Sequence, residues 1–150
     1  MKAIIDTNIA IDLMQKRDGF VEDAAKVFTI CAGGLVEGFF TPNSICDIHY
    51  ILKKYLHDEK EVRRCLSSWL DIINIVDLKP EDIVNAVESD MSDYEDAVIA
   101  ATAKRNRIDF IITRNTKDFK ESPVPALTPS LFIETSLKAG WRMDGINGIV

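Results

Sequence analysis

Lys2-Ala3-Ile4-Ile5-Asp6-Thr7-Asn8 is the stretch on which the fold turns. Lys2 to Ile5 is a short apolar run and predicts a strand. It stops on Asp6-Thr7-Asn8, three residue types whose side chains accept from the free amides at the start of a helix. Ile9 to Met14 continues in helical style. The stretch therefore reads as a strand that turns directly into a helix, with Asp6 at the carboxyl end of the strand.

The same alternation continues outward. Val21, Ala24, Ala25, Val27, Phe28 and Cys31 form a helical stripe over Phe20 to Ala32, and Gly33-Gly34 ends it. Phe39-Phe40-Thr41 predicts a short buried strand. Pro42 opens a helix to Leu56 with an apolar stripe of Ile45, Ile48, Ile51, Leu52 and Tyr55. A helix over Lys60 to Leu70, a strand over Ile73 to Leu78 and a helix from Pro80 to about Val87 follow. Ser92 to Arg105 predicts a helix, with Ser92 and Glu95 as its capping box. Strands are expected at Asp109 to Thr113 and Val124 to Thr128, and Pro129 opens a last helix to about Ala139. Gly140 onward reads as a tail or partner contact. Strands separated by helices imply an α/β protein whose mostly parallel sheet is covered on both faces. Such sheets bind ligands outside the carboxyl ends of their strands.

The chain has 150 residues, 47% of them hydrophobic and 28% charged, which suits one globular domain. No apolar run approaches a membrane span, and the start lacks a signal-peptide core, so a cytoplasmic protein is expected. Cys31, Cys46 and Cys65 are odd in number and set in apolar helical patterns, and read as buried free thiols. Cys46-x-x-His49 has no second pair to complete a zinc site. His49 and His57 read as helix-surface or boundary residues. Trp69, Phe28, Phe39 and Phe40 read as core, and Trp141 as tail packing. The net charge of −6 is unusual for a nucleic-acid enzyme. Either acids are concentrated in a site that metal ions neutralise, or a basic partner supplies the binding surface.

Four separated acids carry the chemistry. Asp6 alone reads as a helix cap. Asp93 and Asp96 are three apart and share a helical face with Ala97, Ala100, Ala101 and Ala103, whose small side chains allow close approach to a sheet. Like charges so placed are costly unless a cation is shared. Asp47 sits inside the Pro42 helix, facing either solvent or a polar site. Asp118 follows the strand ending at Thr113 and belongs at the same sheet end as Asp6. Together Asp6, Asp47, Asp96 and Asp118 form a set of hard oxygen ligands suited to Mg²⁺ or Mn²⁺.

Ile4-Ile5-Asp6-Thr7-Asn8, Thr41-Pro42-Asn43-Ser44-Ile45-Cys46-Asp47-Ile48-His49-Tyr50, Asp93-Tyr94-Glu95-Asp96-Ala97 with Ala100-Ala101-Thr102-Ala103, and Ile112-Thr113-Arg114-Asn115-Thr116-Lys117-Asp118-Phe119 occur in that order, followed by Leu127-Thr128-Pro129-Ser130-Leu131-Phe132. In this order the chain resembles PIN-domain ribonucleases, and within them the VapC-like toxins of type II toxin–antitoxin pairs. The resemblance implies a three-layer α/β/α sandwich over 1–139, with 140–150 as a C-terminal tail. It implies a Mg²⁺- or Mn²⁺-dependent endoribonuclease with a cognate antitoxin and a homodimeric state. Asp6, Asp47, Asp96 and Asp118 would be the catalytic metal ligands, with Asp47 standing where many members carry Glu. Some members carry Asp at the position of Asn115, so the fourth acid lies at 115 or 118, and only Asp118 ionises here. Thr7 and Asn8 would orient Asp6 through hydroxyl and amide bonds. Asp93, Thr113 and Asn115 would support the ligands. From their place beside Asp118, Arg114 and Lys117 would meet the RNA backbone, and Lys54, seven residues after Asp47 on roughly the same face, would meet a phosphate or pair with an acid.

Two other classes compete with this reading: another acidic-pocket α/β enzyme or switch, of the dehalogenase or receiver type, and an inert binding module. A haloacid-dehalogenase-type phosphotransferase needs D-x-D after the first strand, where this chain has Asp6-Thr7-Asn8. A receiver domain needs paired acids after its first strand. An inert binding module with the same fold is the remaining alternative, separable by metal titration.

Overall fold

The computed structural model describes residues 1–140. Strand β1 (Lys2–Ile5) has its last three residues fully buried and lies at the centre of the sheet. Helices α1 (Thr7–Met14) and α2 (Val21–Ala32) return the chain to β2 (Glu37–Phe40). Helices α3 (Pro42–Leu56) and α4 (Glu59–Leu70) lead to β3 (Ile73–Ile75). Helices α5 (Pro80–Val87) and α6 (Tyr94–Arg105) then cross to β4 (Phe110–Ile112). A 3-10 turn (Thr116–Phe119), β5 (Ala126–Leu127) and α7 (Pro129–Lys138) complete the described chain.

The five strands are parallel and run β3-β2-β1-β4-β5. The chain builds outward from β1 to β2 to β3, then jumps back to place β4 on the other side of β1. The order reverses between β1 and β4, and the crevice at the carboxyl ends of these two strands is where an open α/β sheet binds ligands.

Strand alternation assigns the two faces. Ala3, Ile5 and Ile112 pack with Ile9, Val27, Phe28, Ile48, Leu52, Trp69 and Phe132 on the side covered by α1 to α4 and α7. Ile4 and Ile111 point the other way, against Ile99, Ala100 and Ala103 of α6. Helix α5 covers α6 through Ala86, Ala97 and Val98. The expected three-layer α/β/α sandwich is therefore observed. Phe28, Phe40 and Trp69 form an aromatic knot with ring centroids 5.4–6.2 Å apart. Gly38 in β2 lies beneath this layer, where a Cβ would stand 2.8 Å from both Cys31 Sγ and Ile73 Cδ1. A side chain at that position would push α2 and β3 away from β2.

Several expectations need correction. Asp93, not Ser92, caps α6, its Oδ1 accepting from the Asp96 amide at 3.0 Å. The proposed Ser92–Glu95 capping box does not form, and Glu95 is released for another role. Strand β3 stops at Ile75 instead of reaching Leu78, and beyond it the Asp77 carbonyl accepts from the side chains of Arg105 and Asn106 at 2.6 and 3.3 Å. Tyr55 is exposed and leaves the apolar stripe of α3, which Ile48 and Leu52 carry. Of the three cysteines only Cys31 is buried; Cys46 is exposed and Cys65 half-buried. Phe39 is half-buried at the edge of the α6-side core. Trp141 and most of the proposed 140–150 tail lie outside the described residues. No described helix is long and apolar enough to cross a membrane.

Candidate active site

Asp6 is placed by the sheet itself. Its backbone amide continues the ladder to Ile112 O at 2.9 Å, so its side chain leaves at the carboxyl edge between β1 and β4. Asp6 occupies the N-cap position of α1, yet its carboxylate makes no capping bond. Instead Thr113 Oγ1 donates to Asp6 Oδ2 at 2.8 Å. Thr113 is fully buried, its amide is tied to Leu127 O, and its hydroxyl also accepts from the Asn115 amide at 3.1 Å. Burial pushes the Asp6 carboxyl above the ordinary range, while the Thr113 hydroxyl, the Thr7 amide and Arg114 offset part of that rise. The orienting hydrogen bond thus comes from Thr113. Among the described hydrogen bonds, none to Asp6 comes from the Thr7 hydroxyl or the Asn8 amide. Thr7 and Asn8 line the cleft beside it.

Asp96 projects into the same cleft from the first turn of α6. Its pKa is pushed up to about 7, by burial first and then by the charges of Asp93, Asp6, Asp118 and Glu95. The Asp118 carboxylate comes from the 3-10 turn after β4 and accepts from the Asn115 side-chain amide. Asp47 stands on the exposed side of α3, opposite the buried Ile48 and Leu52, and it too lines the cleft. Burial and the adjacent Asp47 raise the pKa of Glu95.

The result is a cleft of about 430 Å³ lined by Asp6, Asp47, Asp93, Glu95, Asp96 and Asp118. Four chain segments far apart in sequence supply these six carboxyl groups. Glu95 was missed as a site residue because a capping role accounted for it. Three acids within the four positions 93–96 exceed what one helix N-terminus needs, and that surplus was the available signal. Among the described residues no three carboxylate, imidazole or thiol groups stand close enough to ligate one ion as they are. The donor set nevertheless fits a hard divalent cation. It is all oxygen and mostly anionic, and its members raise one another's pKa as closely placed like charges do.

The three predicted RNA contacts differ in placement. Arg114 turns away from the cleft: its Nε lies 3.2 Å from Asp12 Oδ2, and its guanidinium sits 4.4 Å over the Phe20 ring. Asp12 is 1% exposed and also meets Arg17 at 3.4 Å, so the Arg114 charge serves a buried ion pair. Sequence reading passed over Asp12 because it lies among apolar helix residues. Lys117 is exposed and has no ion pair among the described residues. Lys54 stacks 4.3 Å over the Tyr50 ring, and Tyr50 lines the acidic cleft.

Residues 2–117 match the family profile of the PIN domain. Among solved structures, a toxin–antitoxin complex from Klebsiella pneumoniae is 29% identical with TM-score 0.64, covering 85% of this chain and 97% of that one. VapBC2 from Rickettsia felis bound to a promoter DNA fragment is 17% identical with TM-score 0.67, covering 85% and 98%. PAE2754 from Pyrobaculum aerophilum is 14% identical with TM-score 0.65, covering 92% and 96%. No curated protein matches.

Proposed function

The chain belongs to the PIN domain family, and from that premise we propose that it is a divalent-metal-dependent endoribonuclease, the toxin of a toxin–antitoxin pair. The observation that carries the reading is the convergence of six carboxyl groups at the sheet's switch point, with Asp96 pushed up to about 7. A structural acid at a helix start needs no such company. The similarity to a toxin–antitoxin complex from Klebsiella pneumoniae supports a cognate antitoxin as partner. The family resemblance supports a homodimer.

Asp6, Asp96 and Asp118, with Asp47 completing the set, would hold Mg²⁺ or Mn²⁺. A bound divalent ion supplies a nucleophilic hydroxide at neutral pH and offsets charge on the phosphodiester. The chain's own residues do the positioning. Thr113 holds the Asp6 carboxylate in one orientation, and Asn115 does the same for Asp118. Asp93 fixes the first turn of α6 and hence the direction of Asp96. Without a cation, Asp96 retains a proton until near neutral pH and must release it to become a ligand.

The test is RNA cleavage across a Mn²⁺ and Mg²⁺ titration, paired with thermal denaturation. Saturating metal should raise the melting temperature and support cleavage. Asp6→Asn and Asp96→Asn should each lower cleavage by about a hundredfold or more while the fold is kept. Full cleavage by both purified variants, or no stabilisation at millimolar metal, sinks this reading.

A further inference from the structure

A chain of net charge −6 with an acid-lined cleft repels a polyanion, so RNA needs a cationic approach to the site. Such an approach adjoins the cleft. Tyr50 lines the acidic cleft and also a second cavity of about 410 Å³, whose other walls are His49, Lys53, Lys54 and His57. All five residues lie on α3 or at its C-cap. Asp47, Tyr50 and Lys54 follow at intervals of three and four, one stripe along the helix. Lys54 stands about 10 Å along the axis from Asp47 at 1.5 Å per residue. The stripe thus begins among the carboxylates and ends among cations.

The charges in this groove are unevenly matched. Lys53 Nζ, Arg63 Nε and His49 Nε2 all converge on Glu59, at 2.9, 2.7 and 2.9 Å. Their bonds hold the Glu59 carboxyl down to about 2, Lys53 contributing most. Lys54 has no ion pair among the described residues and rests on Tyr50 instead. Lys53 and Lys54 are the permanent charges among the residues that line the groove, and no carboxylate lines it, so its walls are net positive. Tyr50 is 59% exposed, which leaves ring surface free for a second planar group. An aromatic ring interleaved with lysines is the pattern that holds single-stranded nucleic acid by stacking and backbone charge.

We propose that this groove on α3 is the track for single-stranded RNA flanking the cleavage point, with Lys53 and Lys54 meeting backbone phosphates and Tyr50 stacking a base. The inference rests on the ribonuclease reading above and gives its substrate a direction of approach. An acidic protein segment is the competing occupant. RNA is favoured because the groove is continuous with the acidic cleft through Tyr50, so one strand can occupy both.

The experiment measures anisotropy of a labelled oligouridylate with the full chain in Mg²⁺, over a range of salt, in an Asp96→Asn background that stops turnover. Lys53→Gln with Lys54→Gln should weaken binding about tenfold and flatten the log–log salt slope by about 1.4, two phosphates at roughly 0.7 each. Tyr50→Ala should weaken binding several-fold with the slope unchanged. Lys26→Gln with Lys138→Gln removes the same charge from α2 and α7 and should change little. Unchanged affinity and slope in the Lys53/Lys54 variant overturns the proposal, and more so if that variant loses binding to polyglutamate. An equal loss in the Lys26/Lys138 control also overturns it, because net charge alone would then explain the effect. Absence of RNA cleavage by the unsubstituted chain across the Mn²⁺ and Mg²⁺ titration strikes the ribonuclease reading separately and leaves the binding result standing.

Discussion

The two ends of α6 handle buried carboxylates in opposite ways. At the C-terminal end Arg105 grips Asp82, which is fully buried, with Nε and a terminal nitrogen each 2.8 Å from its oxygens. The Lys79 amide adds a further bond at 2.9 Å. Burial alone would raise the Asp82 pKa, yet the Arg105 and Lys79 bonds outweigh it and the net shift is downward. Arg105 also reaches Asp77, locking α5, α6 and the end of β3 together. At the N-terminal end Asp93, Glu95 and Asp96 meet Asp6, Asp47 and Asp118 in a cleft that no Lys, Arg or His among the described residues lines, and Asp96 rises to about 7. The same residue type is a structural clamp where a basic partner is supplied and a member of a mutually repelling cluster where none is. The clamp end fixes the helix so that the other end can hold unfavourable charge in place.

The largest expected effect breaks the clamp. Arg105→Met leaves Asp82 buried and unpaired, and should cost about 3–5 kcal/mol in chemical denaturation. A loss below ~1 kcal/mol would mean that Asp82 finds water, and the contrast between the two ends would fall. A smaller cost is expected at the Asp12 clamp beside the site. Arg114→Met leaves Asp12 with only Arg17 at 3.4 Å and should cost about 2 kcal/mol. Because Arg114 neighbours Thr113, which orients Asp6, cleavage should fall with it. Unchanged cleavage would show that the turn holds its shape without the ion pair.

These clamps also mark the limit of what the sequence discloses. The starts of α3 and α5 were read correctly because Pro42 and Pro80 announce a first helical turn locally. Asp6, Asp96 and Asp118 were legible through a strand end, a helix start and the turn after a strand, whereas Asp47, inside α3, had no local signal to decide between solvent and the cleft. The Asp82–Arg105 pair spans 23 positions and nothing near either residue announces it. Asp12 and Arg114 meet only because β1 and β4 are neighbours in the sheet. The α6 cap was misplaced by one residue because Ser92 and Asp93 are both good capping types, and only the backbone decides between them. Pairings across the fold depend on topology, whereas periodicity reports only a residue's own element.

Replacing a repelling carboxylate should strengthen the cation-free protein, the reverse of the Arg105 result. Asp96→Asn removes the group most burdened by its neighbours, and should stabilise the metal-free fold at pH 8 by on the order of 1 kcal/mol. A destabilised variant would show that Asp96 has a partner that compensates its charge.

The smallest effect is the pH dependence of that same group, and it separates the two ends of α6 without a mutation. Asp96 titrates near 3.8 in the unfolded chain and at about 7 in the metal-free fold. Between these values the folded state holds more protons than the unfolded one, so stability from this group is full below pH ~4 and lost as pH rises through ~7. The Asp82 shift is downward, so its contribution is present at neutral pH and lost on acidification through the low folded pKa. Metal-free stability should therefore decline modestly from pH 5 to 8, and Asp96→Asn should flatten that slope while leaving the acid limb intact. Saturating Mg²⁺ reverses the trend, because ligand carboxylates must lose their protons and the metal-induced rise in melting temperature grows with pH. A metal-induced rise that is constant from pH 5 to 8 would mean that the ion binds without displacing the Asp96 proton, and Asp96 would lose its place in the ligand set.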